Sequence, residues 1–211
     1  MHAILTSGFQ TFFGLLAIMN PIGILPIYLA ITKGENPEQR RRTQNTAAVG
    51  AFGILLAFTL LGHLILQLFG ISIPAFRVAG GVLIGLIGLD MVRSSPSHLH
   101  QLTEPEHEAA VDAAQVGLVP LAMPMMAGPG AIATTLSFIG DGFNLVNGLV
   151  VIVAAALVVG LCWLSFRYSA ILVRMLGQNG IGVLTRMMGL ILVVIAVQMG
   201  FSGAKALWGA G

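Results

Sequence analysis

Charged side chains are scarce in this chain: Asp, Glu, Lys and Arg make up 9% of its 211 residues, whereas hydrophobic residues make up 56%. Ordinary soluble domains are about a quarter charged, and a soluble protein of this length would have too few charges to cover its surface. Cysteine is scarce too, because Cys162 stands alone, which excludes a disulfide framework, a cysteine-rich metal site and a two-cysteine redox relay. The composition excludes a cytosolic enzyme, a disordered protein and a nucleic-acid binder, and it indicates an integral membrane protein embedded in the lipid bilayer.

The chain contains long apolar stretches with few charged residues. A bilayer core of about 30 Å needs roughly 20 apolar residues per helix, and six stretches have that length. The predicted spans are residues 5–32, 44–69, 74–92, 115–138, 147–168 and 185–207. The segment 93–114 contains Pro96 and Pro105 as helix breakers and is predicted to be a solvated loop. The sequence therefore predicts an all-α integral membrane protein with six transmembrane spans.

Lys and Arg fall mainly on one side of these spans. The segments after the first, third and fifth spans hold eight of the ten, including the cluster 40–42, and the opposite side holds Arg77 and Lys205. Because positively charged loops are retained in the cytoplasm, this bias predicts that the first set is cytoplasmic and that both termini are periplasmic.

The two halves of the sequence share a pattern of residues. Prolines five residues apart occur in the first span and in the fourth, as Pro21 with Pro26 and as Pro124 with Pro129. An offset of about 108 residues also matches the motif that begins at Arg77 to the one that begins at Arg186. Three spans per half is an odd number, so the second half is expected to insert upside down. We predict two inverted repeats, about 1–92 and 115–211, joined by a cytoplasmic loop in one transmembrane domain, as in many secondary transporters.

Prolines interrupt the first and the fourth predicted spans. A proline inside a helix removes a backbone hydrogen bond, and in lipid the freed carbonyls are tolerated only inside the protein or beside a wet cavity. Interrupted helices at corresponding positions of two repeats point to a transporter's binding site, although prolines can also simply kink helices for packing. The half-helix after Asn20-Pro21 is expected to offer free amides to a carboxylate, while unwound carbonyls and the Asn20 side chain accept from an ammonium group.

The residues around these two breaks, with one from the sixth span, form the predicted substrate site. Gln198 and Ser202 lie one turn apart on that span and either line the cavity or bond a neighbouring helix. The predicted substrate-binding residues are Asn20, Pro21, Gly23, Pro26, Pro124, Gly128, Pro129, Gly130, Thr134 and Gln198.

Two ionisable residues inside the spans are candidates for proton coupling. His63 lies with Thr59 and Gln67 on one face of the second span, where it either shuttles a proton near neutral pH or only bonds neighbouring helices. Asp90 lies one turn before Arg93 near the end of the third span, where it either couples transport to protons or pairs with Arg93 at the interface.

The sequence resembles the MarC family, also called the neutral amino acid transporter family, which is linked more distantly to the LysE-type exporters. The shared motifs are Met19-Asn20-Pro21-Ile22-Gly23 with Pro26, the arginine cluster 40–42, Arg77-Val78-Ala79-Gly80-Gly81, Pro124 with Ala127-Gly128-Pro129-Gly130, and Arg186-Met187-Met188-Gly189 leading to Val197-Gln198. They run along essentially the whole chain. The resemblance implies a bacterial inner-membrane protein of six spans, and some members of the family are described as carriers of small neutral amino acids such as glycine and alanine.

The leading hypothesis is a secondary transporter that moves a small neutral amino acid by alternating access, with the substrate between the two breaks. The scarcity of ionisable groups inside the spans favours a substrate without net charge. The alternatives are a carrier of another small solute or ion, and a membrane partner protein that transports nothing. An enzyme is not expected, because Asp90 has no second acid inside the spans and no serine has a nearby histidine. No cofactor, metal site or nucleic-acid partner is expected, and the sequence does not predict an oligomeric state.

Overall fold

The fold is all-helical throughout the part of the chain that the computed structural model describes, which comprises residues 2–93, 122, 126–139 and 144–209. Its helices are α1 (His2–Met19), α2 (Leu25–Ile31), α3 (Pro37–Leu68), α4 (Ile73–Arg93), α5 (Pro129–Ile139), α6 (Leu145–Arg167) and α7 (Ser169–Trp208). The segments Pro37–Leu68, Ile73–Arg93, Leu145–Arg167 and Asn179–Trp208 are long and apolar enough to cross a membrane. Two shorter apolar helices, Thr6–Met19 and Pro129–Ile139, lie in the first and fourth predicted spans. The all-α membrane architecture is confirmed. Residues 94–121, and with them most of the predicted loop and the start of the fourth span, lie outside the described residues.

The second long helix begins well before the apolar stretch that predicts it. Asn36 and Gln39 form a capping box: the Asn36 Oδ1 accepts from the Gln39 backbone N–H at 2.9 Å, and the Gln39 Oε1 accepts from the Asn36 N–H at 3.0 Å. Pro37 occupies the first helical turn, where its missing N–H is not needed. The arginine cluster 40–42 is therefore helical and belongs to the first turns of α3.

The last helix is also longer than predicted. α7 starts at Ser169, directly after the end of α6, although the sixth span is expected to begin at residue 185. It consists of two helical segments that join at Gly177, where φ is +63° and ψ is 173°, a non-helical conformation that glycine adopts without a steric penalty. The segment between the fifth and sixth predicted spans is thus helical. Its polar residues lie on a helix that extends beyond the apolar stretch.

Small residues bring α4 and α7 into the most extensive contact between any two described helices. A methyl group placed on Gly81 would lie 2.8 Å from the carbonyl oxygen of Ala196, and one placed on Gly88 would lie 2.8 Å from that of Gly189. Residue numbers rise along α4 as they fall along α7, so the helices are antiparallel. Glycine is needed at these positions because the backbones touch.

The remaining helices bury a common core and expose apolar side chains on the outside. Tyr28 of α2 is fully buried and stacks on Phe166 of α6, with ring centroids 4.4 Å apart. Large apolar side chains cover the outer surface; Leu68 is 77% exposed and Phe201 is 75% exposed. A surface of this kind suits lipid contact rather than water.

The two ends of the bundle differ in charge. One end, which we call the terminal end, is where α1 begins and α7 ends. The opposite end, which we call the basic end, has a cavity of about 820 Å³ whose lining includes Glu35, Arg40, Arg41 and Arg167. This distribution follows the bias of Lys and Arg in the sequence.

Candidate functional site

The first predicted span is interrupted between Met19, where α1 ends, and Leu25, where α2 begins. Asn20 has a φ of +40°, a left-handed conformation in which asparagine is enriched among non-glycine residues. Its Oδ1 accepts a hydrogen bond from the Gly23 N–H at 3.1 Å. A side chain at Gly23 would collide with the Asn20 carboxamide and crowd the hydroxyl of Thr185 on α7. Asparagine and glycine are therefore both needed for this turn.

Several amides of the first break are already bonded within the chain. Besides the Gly23 N–H, the Ile24 N–H donates to the Asn20 carbonyl at 3.2 Å and the Leu25 N–H donates to the Ile22 carbonyl at 3.2 Å. The expectation of free amides therefore does not hold for these three groups in this conformation. The Asn20 Oδ1 accepts one hydrogen bond here and can accept a second, and binding of a substrate at this break stays a prediction.

The second break precedes α5, which begins at Pro129. The Ala127 N–H donates to the Ala122 carbonyl at 2.8 Å, a five-residue spacing typical of a π-turn, which is frequent at functional sites. Pro124 lies outside the described residues. The helix break next to Pro129 is consistent with the interruption predicted for the fourth span.

The helix segments that flank the two breaks are in contact. A methyl group on Gly14 would lie 3.4 Å from Cγ2 of Thr134, and one on Gly130 would lie 3.4 Å from Cγ2 of Ile18. Residue numbers rise along α1 as they fall along α5, so the two helices are antiparallel. Ile18 lies two residues before Asn20 and Gly130 lies two residues after Gly128, so this contact lies close to both breaks.

The predicted site residues differ in burial. Pro21, Gly128, Gly130 and Thr134 are buried, Asn20, Gly23 and Pro26 are half-buried, and Pro129 and Gln198 are exposed.

A cavity of about 450 Å³, lined by both apolar and polar side chains, lies towards the terminal end between α1, α4, α5 and α7. It brings together two predicted residues from distant parts of the chain, Thr134 and Gln198, and Ser202 lies beside Gln198 in its lining; their part in binding a substrate stays a prediction. Its other polar lining residues are Gln10, Arg77 and Ser137. Gly14 and Thr134 form part of its lining, six residues from the breaks, which is about 9 Å along a helix. The cavity therefore leads towards the two breaks from the terminal end.

Arg77 is the site residue that sequence reasoning missed. It is half-buried in the first turns of α4, and its Nη2 donates to the carbonyl oxygen of Ser137 at 3.0 Å. In the sequence analysis it served to orient the chain, to match the two halves and to mark a family motif, and it was not placed in the site. Its position in the sequence could have identified it. Arg77 lies inside the apolar stretch 74–92, where a charged side chain costs free energy unless it faces protein or water.

The proton-coupling candidates lie apart from this cavity. His63 is half-buried on α3, and its Nε2 is 2.9 Å from the Gln67 carboxamide nitrogen. Asp90 is half-buried in the last turn of α4. Within the described part of the chain it forms no ion pair with Arg93, the partner that one of its two alternative roles required. Neither residue lines the cavity of about 450 Å³, and their coupling role stays a prediction.

Comparison with known proteins agrees with the motifs. The profile of the MarC family, described as integral membrane proteins, matches residues 5–208. The chain belongs to the MarC family. UPF0056 membrane protein YvbG of Bacillus subtilis (strain 168) is 40% identical over 199 residues, which cover 94% of each chain. UPF0056 membrane protein YhcE of Escherichia coli (strain K12) is 40% identical over 201 residues, 95% of this chain and 93% of that one.

The MarC resemblance extends beyond bacteria. UPF0056 membrane protein MJ1677 of Methanocaldococcus jannaschii is 38% identical over 194 residues, 92% of this chain and 94% of its own. The names of these MarC relatives state a membrane protein and give no substrate, reaction or direction of transport. No solved structure matches this chain. Membership therefore establishes the family and its membrane location, and the function has to be argued from the site.

Proposed function

We propose that this MarC protein is a secondary transporter that moves a small neutral amino acid across the bacterial inner membrane by alternating access. The observation that carries the proposal is the antiparallel contact of α1 with α5, in which Ile18 meets Gly130 close to both breaks. Broken backbone in lipid is stable only where protein or water satisfies its polar groups. Two breaks whose flanking helices are in contact suit a substrate site better than two unrelated kinks.

The proposal includes two inverted repeats of three spans each. An offset of 108 residues pairs Asn20-Pro21 with Gly128-Pro129, and this fits the helix boundaries better than the pairing of Pro21 with Pro124. In an inverted repeat, equivalent helices are antiparallel and their equivalent residues meet near the axis. The antiparallel contact of α1 with α5, in which Ile18 meets Gly130, supports this arrangement, and so does the antiparallel pairing of α4 with α7, which match at a similar offset.

The cavity at the terminal end and the packing beneath it support the proposal of alternating access. The lining of this cavity includes Gly14 and Thr134. Below it, Leu15, Met19 and Leu25 are buried side chains, and Tyr28 closes the core against Phe166. We interpret this conformation as open towards the terminal end, which is expected to be periplasmic, and closed towards the basic end.

Several features favour a zwitterion with a small side chain. Gln10, Ser137, Gln198 and Ser202 provide both donors and acceptors in the cavity, and Arg77 provides a positive charge. The cavity of about 450 Å³ lies in the range of about 300–1,000 Å³ typical of small-molecule sites. A zwitterion has one charge for Arg77 and no net charge to carry through the apolar core.

Uptake into proteoliposomes tests the proposal. Purified protein is reconstituted, and labelled glycine, alanine, serine and threonine are supplied with and without an imposed proton gradient. We expect saturable uptake that Asn20→Leu abolishes, because leucine cannot cap Gly23 and resists a positive φ. Asn20→Gly keeps the backbone conformation and removes only the carboxamide, so it separates side-chain recognition from the turn.

Gly160→Ala is the matched control, since no atom lies within 4 Å of a methyl group placed there. Dependence on the gradient would direct attention to His63 and Asp90. Folded protein that takes up none of the four amino acids would overturn the substrate assignment and favour another solute or a partner protein that transports nothing.

A further inference from the structure

Arg77 has donor capacity that the protein leaves unused. Its Nη2 bonds the Ser137 carbonyl, but its Nε is buried without a hydrogen-bond partner. Among the residues that the structure describes, no carboxylate forms an ion pair with this guanidinium. A buried donor without a partner is destabilising, and an unpaired cation inside an apolar span more so. A ligand in the adjoining cavity would supply the missing acceptor.

Thr134 is a second unused donor in the same cavity. Its side chain is 1% exposed, and its Oγ1 is buried without a partner. Other buried threonines behave differently: the hydroxyls of Thr59 and Thr135 donate to the carbonyls four residues earlier, at 2.7 and 2.9 Å. Thr134 therefore has not taken the ordinary intrahelical partner that its neighbour has.

We propose that Arg77 and Thr134 form a carboxylate-binding entry site in the cavity at the terminal end. Arginine donates several hydrogen bonds from a planar group that matches a carboxylate, and charge-assisted bonds of this kind are about twice as strong as neutral ones. Gln198 lies on the cavity wall and offers a carboxamide to the rest of the ligand. The inference rests on the proposed function, because it names the part of the transported molecule that is recognised first.

A small carboxylate suits the cavity better than a lipid phosphate does. Polar residues from three helices line the same cavity as Arg77, namely Gln10 on α1, Ser137 on α5, and Gln198 with Ser202 on α7. A lipid headgroup at the rim would leave the deeper Thr134 hydroxyl unpaired. Anionic lipid is therefore the competing occupant that the experiment has to distinguish.

Direct binding to purified protein in a neutral detergent tests the site without requiring transport. Calorimetric titrations use L-alanine, acetate, which has the carboxylate alone, and L-alaninamide, which lacks it. The variants are Arg77→Gln, Arg77→Lys and Thr134→Val, and Thr135→Val is the matched control, since it removes a hydroxyl that is bonded outside the cavity. Thermal unfolding without ligand checks that each variant is folded.

We expect alanine and acetate to bind, and alaninamide to bind at least about tenfold more weakly. Loss of a hydrogen bond to a charged group corresponds to roughly a tenfold or larger loss of affinity, so Arg77→Gln and Thr134→Val should each show it. Arg77→Lys should retain part of the affinity, and Thr135→Val should bind as the original protein does. If Arg77→Gln does not fold, the affinity of Thr134→Val alone tests the site.

Unchanged affinity in both Arg77→Gln and Thr134→Val, or equal affinity for alanine and alaninamide, would overturn the site. So would absence of carboxylate binding together with saturation by phosphatidylglycerol in nanodiscs, which would make it a lipid site. Acetate binding that depends on Arg77, in a protein that transports no amino acid, would uphold the site while the proposed function fails.

Discussion

A single methyl group tests the close contact between α4 and α7. On Gly88 it would lie 2.8 Å from the Gly189 carbonyl oxygen and 3.0 Å from Cβ of Leu192, so the helices would have to separate. On Gly85, one turn earlier, the nearest atom is Cβ of Ala196 at 3.4 Å, an ordinary contact. Alanine is favoured over glycine in a helix by about 1 kcal/mol at both positions, so this gain cancels in the comparison. Overpacking costs about 1–3 kcal/mol, and we expect Gly88→Ala to be less stable than Gly85→Ala by that amount.

Reversible unfolding in mixed micelles of increasing dodecyl sulfate content measures this difference. Gly160→Ala reports the helix-propensity gain alone, because nothing lies near its added methyl group. If Gly88→Ala and Gly85→Ala were equally stable, α4 and α7 would not approach as closely as described. The antiparallel pairing that supports the inverted repeat would then lose its basis.

Three further predictions concern other contacts. Tyr28→Phe leaves the Gln44 Nε2, which is 2.7 Å from the phenol oxygen, without an acceptor. The same unfolding assay should show a loss of stability of about 0.6–1.7 kcal/mol, and the double variant with Gln44→Leu should recover most of that loss. A double variant whose loss of stability equals the sum of the two single losses would contradict the contact. Asn36→Ala removes the cap of α3 and should lower stability by about 1 kcal/mol, with faster amide exchange in the first turn; unchanged exchange would contradict the cap. Ser202→Cys in intact cells should react with a membrane-impermeant maleimide while Cys162, 0% exposed, does not; labelling only after lysis would reverse the orientation.

Hydropathy predicts the helices of this protein well and their ends poorly. The apolar stretches locate α3, α4 and α6, because lipid contact requires an apolar surface over a fixed length. Hydropathy cannot locate ends that depend on local geometry. The capping box at Asn36 extends α3 into a charged segment, and Gly177 lets α7 continue through a kink where a loop was expected.

The candidate site was predicted in part for a similar reason. Prolines and glycines mark broken backbone, so the break at Asn20 follows from sequence. The direction in which a side chain faces does not follow, because α4 is apolar on all sides. Gly81 and Gly88 set that direction by packing against α7, and this contact turns Arg77 towards α5 and the cavity. The Asn20 cap also depends on a left-handed turn that sequence suggests but does not specify.

The distance between the cavity and the two breaks implies that recognition and translocation of the substrate use different sites. Thr134 lies six residues from Gly128 along the chain, about 9 Å on a helix, whereas the ammonium and carboxylate groups of an α-amino acid are attached to the same carbon. One small amino acid therefore cannot contact Arg77 and the two breaks at the same time, and the proposed entry and central sites must be occupied in succession. Loss of the Arg77 charge should then raise the KM for substrate supplied at the terminal end and leave the maximal rate largely intact. Loss of the Asn20 carboxamide should lower the maximal rate, because the central site is where the two halves exchange conformations. If both variants changed the same parameter, one shared site would replace the two in succession.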